Sequence, residues 1–196
     1  MTITGKPPGL WVGQQIHFVC LMSLLVLTWT IWSYLGRPFT VIFWCTIACP
    51  VVHQIFVWLA WRFELRSSAI SKRIGFRGYV IFFFLLFASR FISLFTLAWI
   101  DRGSLNFHIL PQIVIIVIFT LLGLYAMYSV KHYFGFIRAS GADHFYPQYR
   151  DIPFVKEGIF RFTSNGMYIY AFLLFWAIAI GFDSSAALIV AAFSHA

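Results

Sequence analysis

The sequence predicts an all-α protein, a polytopic transmembrane helix bundle, on the basis of three observations. Hydrophobic residues make up 61% of the chain and charged residues 10%, whereas soluble domains average about 45–50% apolar and about 25% charged residues. Several apolar runs reach about 20 residues, the length of a helix that crosses a hydrocarbon core of about 30 Å. Basic residues lie mostly between these runs. The chain of 196 residues has room for one domain, residues 1–196.

The first two apolar runs predict an antiparallel pair of helices. The run at 16–35 is too long for the core of a cleaved signal peptide, which is about 7–15 residues, so we expect a retained helix. A short break at Gly36-Arg37-Pro38 follows. The second helix is expected at 39–61 and must return across the membrane, because the connection is so short.

Two basic loops set the predicted orientation. Residues 62–77 carry five Lys or Arg residues against Glu64 alone, and residues 131–161 carry five more basic residues. The positive-inside rule assigns both loops, and with them the N-terminus, to the cytoplasm. The third and fourth helices, expected at 78–100 and 109–130, connect these loops through a short turn on the opposite side.

Two further apolar helices are predicted, which makes about five full spans and a short last helix. The fifth span is expected at 167–182 and the last helix at 186–196. The last run would reach only about 16 Å as a helix, about half of the hydrocarbon core. We expect this helix to be either truncated or re-entrant, and favour truncation.

Composition argues against two classes of function. Nucleic-acid binding would require a basic face, whereas the basic residues here separate apolar runs, so we expect no nucleic-acid partner. The cysteines, Cys20, Cys45 and Cys49, lie inside apolar runs without metal-ligand spacing, so we predict no metal site.

Three polar residues inside the predicted spans have structural and functional interpretations. His53 and Gln54 follow Pro50, which frees backbone carbonyls that such side chains can satisfy, but contact with a ligand is equally consistent. Arg90 near the middle of a span costs about 2.5–3.5 kcal/mol on insertion scales, so we expect it to face a partner or a wet cavity.

The segment 131–166 is predicted to be a cytosolic cofactor-binding segment. It is aromatic throughout, repeats glycine, and is flanked by two spans that bring its ends together. An alternative is an amphipathic segment that lies on the lipid headgroups with its Phe and Tyr side chains buried.

Within this segment, the residues 155–168 resemble the signature of the integral membrane methyltransferases that act on phosphatidylethanolamine or on isoprenylcysteine carboxyl groups. The usual form is Val-Thr-x-Gly-Pro-Tyr-Arg-x-x-Arg-His-Pro-x-Tyr. The residues in register are Val155, Gly158, Phe160, Arg161, Met167 and Tyr168. Upstream, Gly135 and the pair His144-Phe145 are similar to elements that precede the signature. Ser164-Asn165-Gly166 replaces the usual Arg-His-Pro, and Asn165 with Met167-Tyr168 is closer to the phosphatidylethanolamine N-methyltransferase-like members.

The resemblance implies transfer of a methyl group from S-adenosylmethionine, bound from the cytosol, to a lipophilic acceptor that enters from the lipid bilayer. N-methylation of a phospholipid amine is the favoured reaction. The implied cofactor-binding residues are Gly135, His144, Phe145, Gly158, Phe160, Arg161, Ser164, Asn165, Met167 and Tyr168. His144 is the candidate proton acceptor, and Arg161 the candidate partner of a carboxylate or lipid phosphate.

Other functions stay open at the level of sequence. Within methyl transfer, the alternative is a prenylcysteine carboxyl methyltransferase. Outside it, the alternatives are an NADPH-dependent membrane reductase and a non-enzymatic transporter or scaffold. The family also places an acidic pair after its last helix. The given sequence ends at Ala196, inside the last apolar run, and does not show this pair.

Overall fold

Helices account for most of the chain that the structure, a computed structural model, describes: residues 9–37 and 40–196. No strand occurs among these residues. Pro38 of the predicted break and Phe39, the first residue of the predicted second helix, lie outside the described residues, as do residues 1–8 of the predicted polar N-terminus.

Four helices are long and apolar enough to cross a membrane within the part of the chain that is described. These helices are α1 (Gln15–Tyr34), α2 (Val41–Ser67), α4 (Gly75–Ile100) and α5 (Ile109–Ser129). The shorter helices are α3 (Ala69–Arg73), α6 (Phe136–Ala139), α7 (Ala142–Phe145), α8 (Gly166–Ala171), α9 (Leu173–Gly181) and α10 (Ser185–His195). The all-α, membrane-spanning class predicted from the sequence is confirmed.

The predicted fifth full span differs from the observed helices. Residues Gly166–Gly181 form a shorter apolar segment made of α8 and α9, which meet at Phe172. Sixteen helical residues extend about 24 Å at 1.5 Å per residue, less than a hydrocarbon core of about 30 Å. The 3₁₀ helix Gly158–Arg161 and a turn precede this segment, which starts at Gly166, one residue before the predicted start.

The prediction that residues 62–77 form a loop is wrong. α2 continues to Ser67, α3 follows, and α4 begins at Gly75. Glu64 explains the compact turn, because its buried carboxylate accepts hydrogen bonds from the backbone N–H of Ser71 at 2.9 Å and from the Ser71 hydroxyl at 2.6 Å. The reversal itself occurs at Ser68, whose φ is 52°.

The bundle is built from two helix pairs, with α10 packed against members of both. α2 packs along α4, α5 packs along α8 and α9, and α10 contacts α2, α4 and α9. Small residues permit the close approach of α10, since Ala186, Ala187 and Ala191 are fully buried. Most of the apolar surface of α1 remains exposed, as expected of a helix that faces lipid.

A polar cluster around Asp101 joins the connecting segments at the end of the bundle opposite the basic loops. Its carboxylate accepts hydrogen bonds at 2.7 to 2.8 Å from Arg37 Nη1, Ser104 Oγ, Ser184 Oγ and the backbone N–H of Ala186. These donors belong to the α1–α2 connection, the α4–α5 connection and the start of α10. One aspartate therefore links three segments that are distant in sequence.

The same contacts determine the ionisation of Asp101. Burial raises the pKa of this carboxyl, but the hydrogen bonds from Ala186, Ser104 and Ser184 and the charge of Arg37 outweigh burial, and the net result is a pKa below the ordinary value. Because the pKa of Asp101 is lower in the folded state, its ionised carboxylate stabilises the fold at pH values above its pKa in the unfolded chain. This contribution is lost as the pH falls below about 3.9, the ordinary Asp pKa, and through the folded pKa.

We predict that Asp101→Asn lowers the free energy of unfolding by about 2 to 3 kcal/mol, because an amide NH₂ replaces an acceptor surrounded by donors. Thermal unfolding in a neutral detergent measures the change. Glu157→Gln, at an exposed carboxylate outside the cluster, is the matched control. Asp101→Asn should also flatten the acidic side of the stability profile, and an unchanged acidic side would contradict this account.

Candidate functional site

A cavity of about 220 Å³ lies between α2, α4, the end of α5, α6 and α8. This volume equals that of roughly seven waters in the liquid, so the cavity holds more than a single ion. Rings supply most of its wall. The aromatic lining residues are Trp61, Phe83, Phe84, Phe87, Phe91, Phe136, Tyr168 and Phe172. Aromatic faces attract cations and pack against planar rings.

The cavity meets the outside of the bundle near Gln54 and Tyr168. Of its described lining residues, these two alone are exposed. Gln54 lies on α2, within a predicted span, and Tyr168 lies in α8, the first turns of the last long apolar segment. The opening therefore lies at a side of the bundle that a lipid could reach.

Two buried polar side chains line the inner part of the cavity. His53 and Arg90 are each only 5% exposed. Both ring nitrogens of His53 and the Nε of Arg90 have no hydrogen-bond partner among the described residues. The structural role predicted for His53, hydrogen bonding to a carbonyl freed by Pro50, is therefore not observed. Arg90 faces a cavity, as expected from its cost in a span.

A chain of hydrogen bonds connects helices at the Trp61 end of the cavity. This is the end of the bundle that the sequence predicts to face the cytosol. Trp61 Nε1 donates to the Tyr79 hydroxyl at 2.8 Å, which donates to the Ser140 carbonyl at 2.8 Å. The His144 ring stacks on Trp61 with centroids 4.0 Å apart. These contacts attach the segment after α5 to α2 and α4, and so place the ring of Trp61 in the cavity wall.

Gly141 permits this arrangement. Its φ is +90°, and a Cβ atom there would lie 2.4 Å from the Trp61 ring. No side chain fits in that space, so the backbone itself lies against the indole. Sequence reasoning did not identify Trp61 or Tyr79, because Trp61 contacts Gly141 80 positions later and Tyr79 contacts Ser140 61 positions later, which leaves no local pattern.

Met167 and Tyr168 are the two predicted site residues that line the cavity. Two other predicted residues lie beside its wall. His144 contacts the cavity-lining Trp61, and Gly135 directly precedes the lining residue Phe136. Gly135 ends a π-helical turn, Val130–Phe134, with its N–H bonded to the Val130 carbonyl at 2.7 Å.

Three predicted residues pack in the protein interior. Phe145 is buried against Tyr79, with ring centroids 4.7 Å apart. Phe160 is buried against Phe134 at 5.4 Å. At Gly158 a Cβ would lie 2.6 Å from Ser129 Oγ, which accepts the N–H of Ile159. Gly158 and Phe160 thus hold the segment 155–162 against the end of α5, whereas Phe145 packs against α4.

The remaining predicted residues, Arg161, Ser164 and Asn165, are exposed. Ser164 and Asn165 lie directly before α8, and Arg161 lies five residues before it. The second and third residues of α8, Met167 and Tyr168, line the cavity. The backbone carbonyl of Asn165 accepts the N–H of Ile169 at 3.0 Å, so Asn165 begins that helix. None of the three is among the residues that line the cavity.

His144 is oriented by a neighbouring carboxylate. Its Nδ1 lies 3.2 Å from Asp143 Oδ1. This hydrogen bond lowers the pKa of Asp143 below the ordinary value, although burial raises it in part. With Nδ1 as the donor to an ionised Asp143, Nε2 is the nitrogen that can accept a proton.

The helices and the aromatic cavity are those of an integral membrane protein with a cavity inside its helix bundle. Residues 111–196 match the family model of phospholipid methyltransferases. This match confirms the family resemblance recognised in the sequence and extends it upstream through α5. No curated protein and no solved structure gives a significant match. The matched segment supplies Met127, Val130, Phe136, Met167 and Tyr168 to the cavity.

We predict that Gly141→Ala destabilises the fold and disrupts the Trp61–His144 stack, because it adds a clash with the indole to the strain of a positive φ. Gly135→Ala is the matched control, with φ +89° and no atom within 4 Å of the added Cβ. Strain alone costs about 1–3 kcal/mol. Thermal unfolding and Trp fluorescence should show a larger effect at Gly141; equal effects would contradict the close packing.

Proposed function

We propose that this protein transfers a methyl group from S-adenosylmethionine to a membrane-embedded lipid acceptor, with the amine of a phospholipid as the favoured acceptor. The observation that carries the proposal is the cavity of about 220 Å³, which is lined in part by the family-matched segment and opens beside Gln54 and Tyr168. On this proposal a lipid enters through this opening from the side of the bundle, and the soluble methyl donor enters from the Trp61 end.

The lining residues fit the chemistry of the methyl donor. S-adenosylmethionine supplies an electrophilic methyl group on a cationic sulfonium, and aromatic faces stabilise such a cation. Trp61, Phe84 and Phe136 provide such faces. Adenine is planar and packs on the same kind of surface. On this proposal Tyr168 and Met167 hold the donor, with Asn165 and the backbone near Gly158 at the approach to the cavity.

The protein contributes alignment more than acid–base chemistry. Methyl transfer is an in-line displacement, so the main requirements are a near-attack distance of about 3–3.5 Å and exclusion of water. An apolar cavity between helices satisfies the second requirement. An amine acceptor also loses a proton, and His144 Nε2 is the proposed acceptor of it, because Asp143 holds the other ring nitrogen.

We also propose the orientation of the protein in the membrane. The connections at the Trp61 end of the bundle carry five basic residues in 62–77 and five in 131–161. The positive-inside rule favours the cytoplasm for this end, which is where soluble S-adenosylmethionine would enter. Arg161 on this surface is then available to a carboxylate or a lipid phosphate.

S-adenosylhomocysteine should raise the unfolding temperature of the purified protein, whereas NADPH should not. Tyr168→Ala and Asn165→Ala should each lower the affinity for S-adenosylhomocysteine roughly tenfold. Little folded protein should be lost, since both side chains are exposed. Tyr34→Ala, at an 89% exposed tyrosine on α1, is the control for Tyr168. Wild-type affinity in both site variants would show that the donor binds elsewhere.

The acceptor class is tested by incubating the protein with S-adenosylmethionine labelled in its methyl group and a membrane lipid extract. We expect label in the amine headgroup of phospholipid. A parallel reaction contains a prenylcysteine peptide. Label in that peptide, with none in lipid, would show that the protein methylates a carboxyl group and not a phospholipid amine.

A further inference from the structure

We propose that Arg90 and His53 form a buried oxyanion-binding site in the cavity, and that its ligand is the phosphate or carboxylate group of an amphiphile. Neither residue belongs to the segment 111–196 that the family model matches. The inference rests on the proposed function to the extent that this amphiphile is the methyl acceptor.

Arg90 is a cation without a counter-ion among the described residues. It lies fifteen residues into α4, about 22 Å from the start of that helix and thus deep in the bundle. Every acidic side chain lies outside the long spans or at their ends: Glu64, Asp101, Asp143, Asp151, Glu157 and Asp183. A charge buried in apolar surroundings requires a partner, and no ion pair of the described residues joins Arg90 to a carboxylate.

The hydrogen-bonding capacity of Arg90 is also largely unused. A guanidinium offers five N–H donors. Among the described residues its one hydrogen-bond acceptor is the carbonyl of Ser194, at a long 3.5 Å from Nη2, and its Nε has none. The rings of Phe172 and Phe175 lie 5.0 and 5.3 Å from its Cζ and orient the group without accepting strong hydrogen bonds.

His53 supplies a second donor in the same cavity. Its ring is buried and held edge-on by Phe83, with centroids 4.8 Å apart, and both nitrogens lack a partner. In either neutral tautomer the imidazole has one N–H. Together with the fork of Arg90 it can donate to several oxygens of one group, the pattern that suits phosphate or carboxylate.

The surroundings select an amphiphile over a free ion. Most of the cavity wall is apolar and aromatic, and the volume of about 220 Å³ exceeds that of a small anion. The opening beside Gln54 and Tyr168 would let acyl chains remain outside the bundle while the charged group enters. The headgroup of a lipid acceptor would thus be held at one end, with its methyl-accepting atom towards Met167 and Tyr168.

The test uses the full chain in a neutral maltoside detergent and three twelve-carbon probes: dodecyl phosphate, dodecanoate and dodecanol. Thermal shift titration should show tighter binding of at least one anionic probe than of dodecanol. Arg90→Met should lower the affinity for the anionic probe by roughly ten- to hundredfold, as expected for loss of charged hydrogen bonds, and leave the affinity for dodecanol unchanged. Arg90→Lys should recover part of the affinity.

If Arg90→Met does not fold, a second variant, His53→Phe, tests the site. It should lower the affinity for the same anionic probe. Arg66→Gln, at an exposed arginine at the end of α2, is the control. Preference for dodecyl phosphate supports a phosphate-bearing ligand, and preference for dodecanoate a carboxylate. Equal binding of all three probes by the wild type, or unchanged anion affinity in both variants, overturns the proposal.

S-adenosylhomocysteine separates this inference from the proposed function. Arg90→Met should bind it as the wild type does. Loss of that binding with retained anion binding would assign Arg90 to the methyl donor and overturn the oxyanion site. If the wild type binds the anionic probe through Arg90 but does not bind S-adenosylhomocysteine, the methyl-transfer function fails and the oxyanion site stands.

Discussion

The carboxylate of Asp101 is the interaction on which the packing of the helix ends depends. Four donors from three segments surround it at 2.7 to 2.8 Å, and two of them belong to the start of α10. In a lipid environment polar groups must find partners within the protein. Asp101 satisfies this requirement for several connections at once, and so orients α10 against α2, α4 and α9.

The opposite end of the bundle is organised by rings and one short hydrogen-bonded chain. Trp61, Tyr79 and the Ser140 carbonyl connect α2, α4 and the segment after α5. This packing leaves space above it, and the cavity occupies that space. The two ends thus have different roles: the polar cluster holds the helices together, while the aromatic end shapes a chamber that a small ligand can fill. The unpartnered polar atoms of the described residues include those of His53 and Arg90 in that chamber.

The sequence predicted the helices well where hydrophobicity alone decides, as in α1, α4 and α5. It failed at 62–77, because the contact of Glu64 with Ser71 turns a basic stretch into helix and tight turn, and a charge count does not reveal such a contact. Of the residues that line the cavity, Met167 and Tyr168 belong to the signature, and the cost of a buried charge singled out Arg90. The fit of Gly141 against Trp61 could not be predicted, since it depends on how distant segments pack.

The π-helical turn at Val130–Phe134 has a consequence for how the chain tolerates length changes. A π turn contains one residue more than the α turn it replaces, as shown by the bond from the Gly135 N–H to the Val130 carbonyl. Both kinds of turn complete about one rotation of the helix, so a one-residue deletion that converted the π turn into an α turn would leave Phe136 and Ala139 at nearly the same angle around the axis. A deletion in the regular part of α5 would instead rotate them by about 100°. The widened turn is therefore the place in this helix where losing one residue disturbs the cavity wall least.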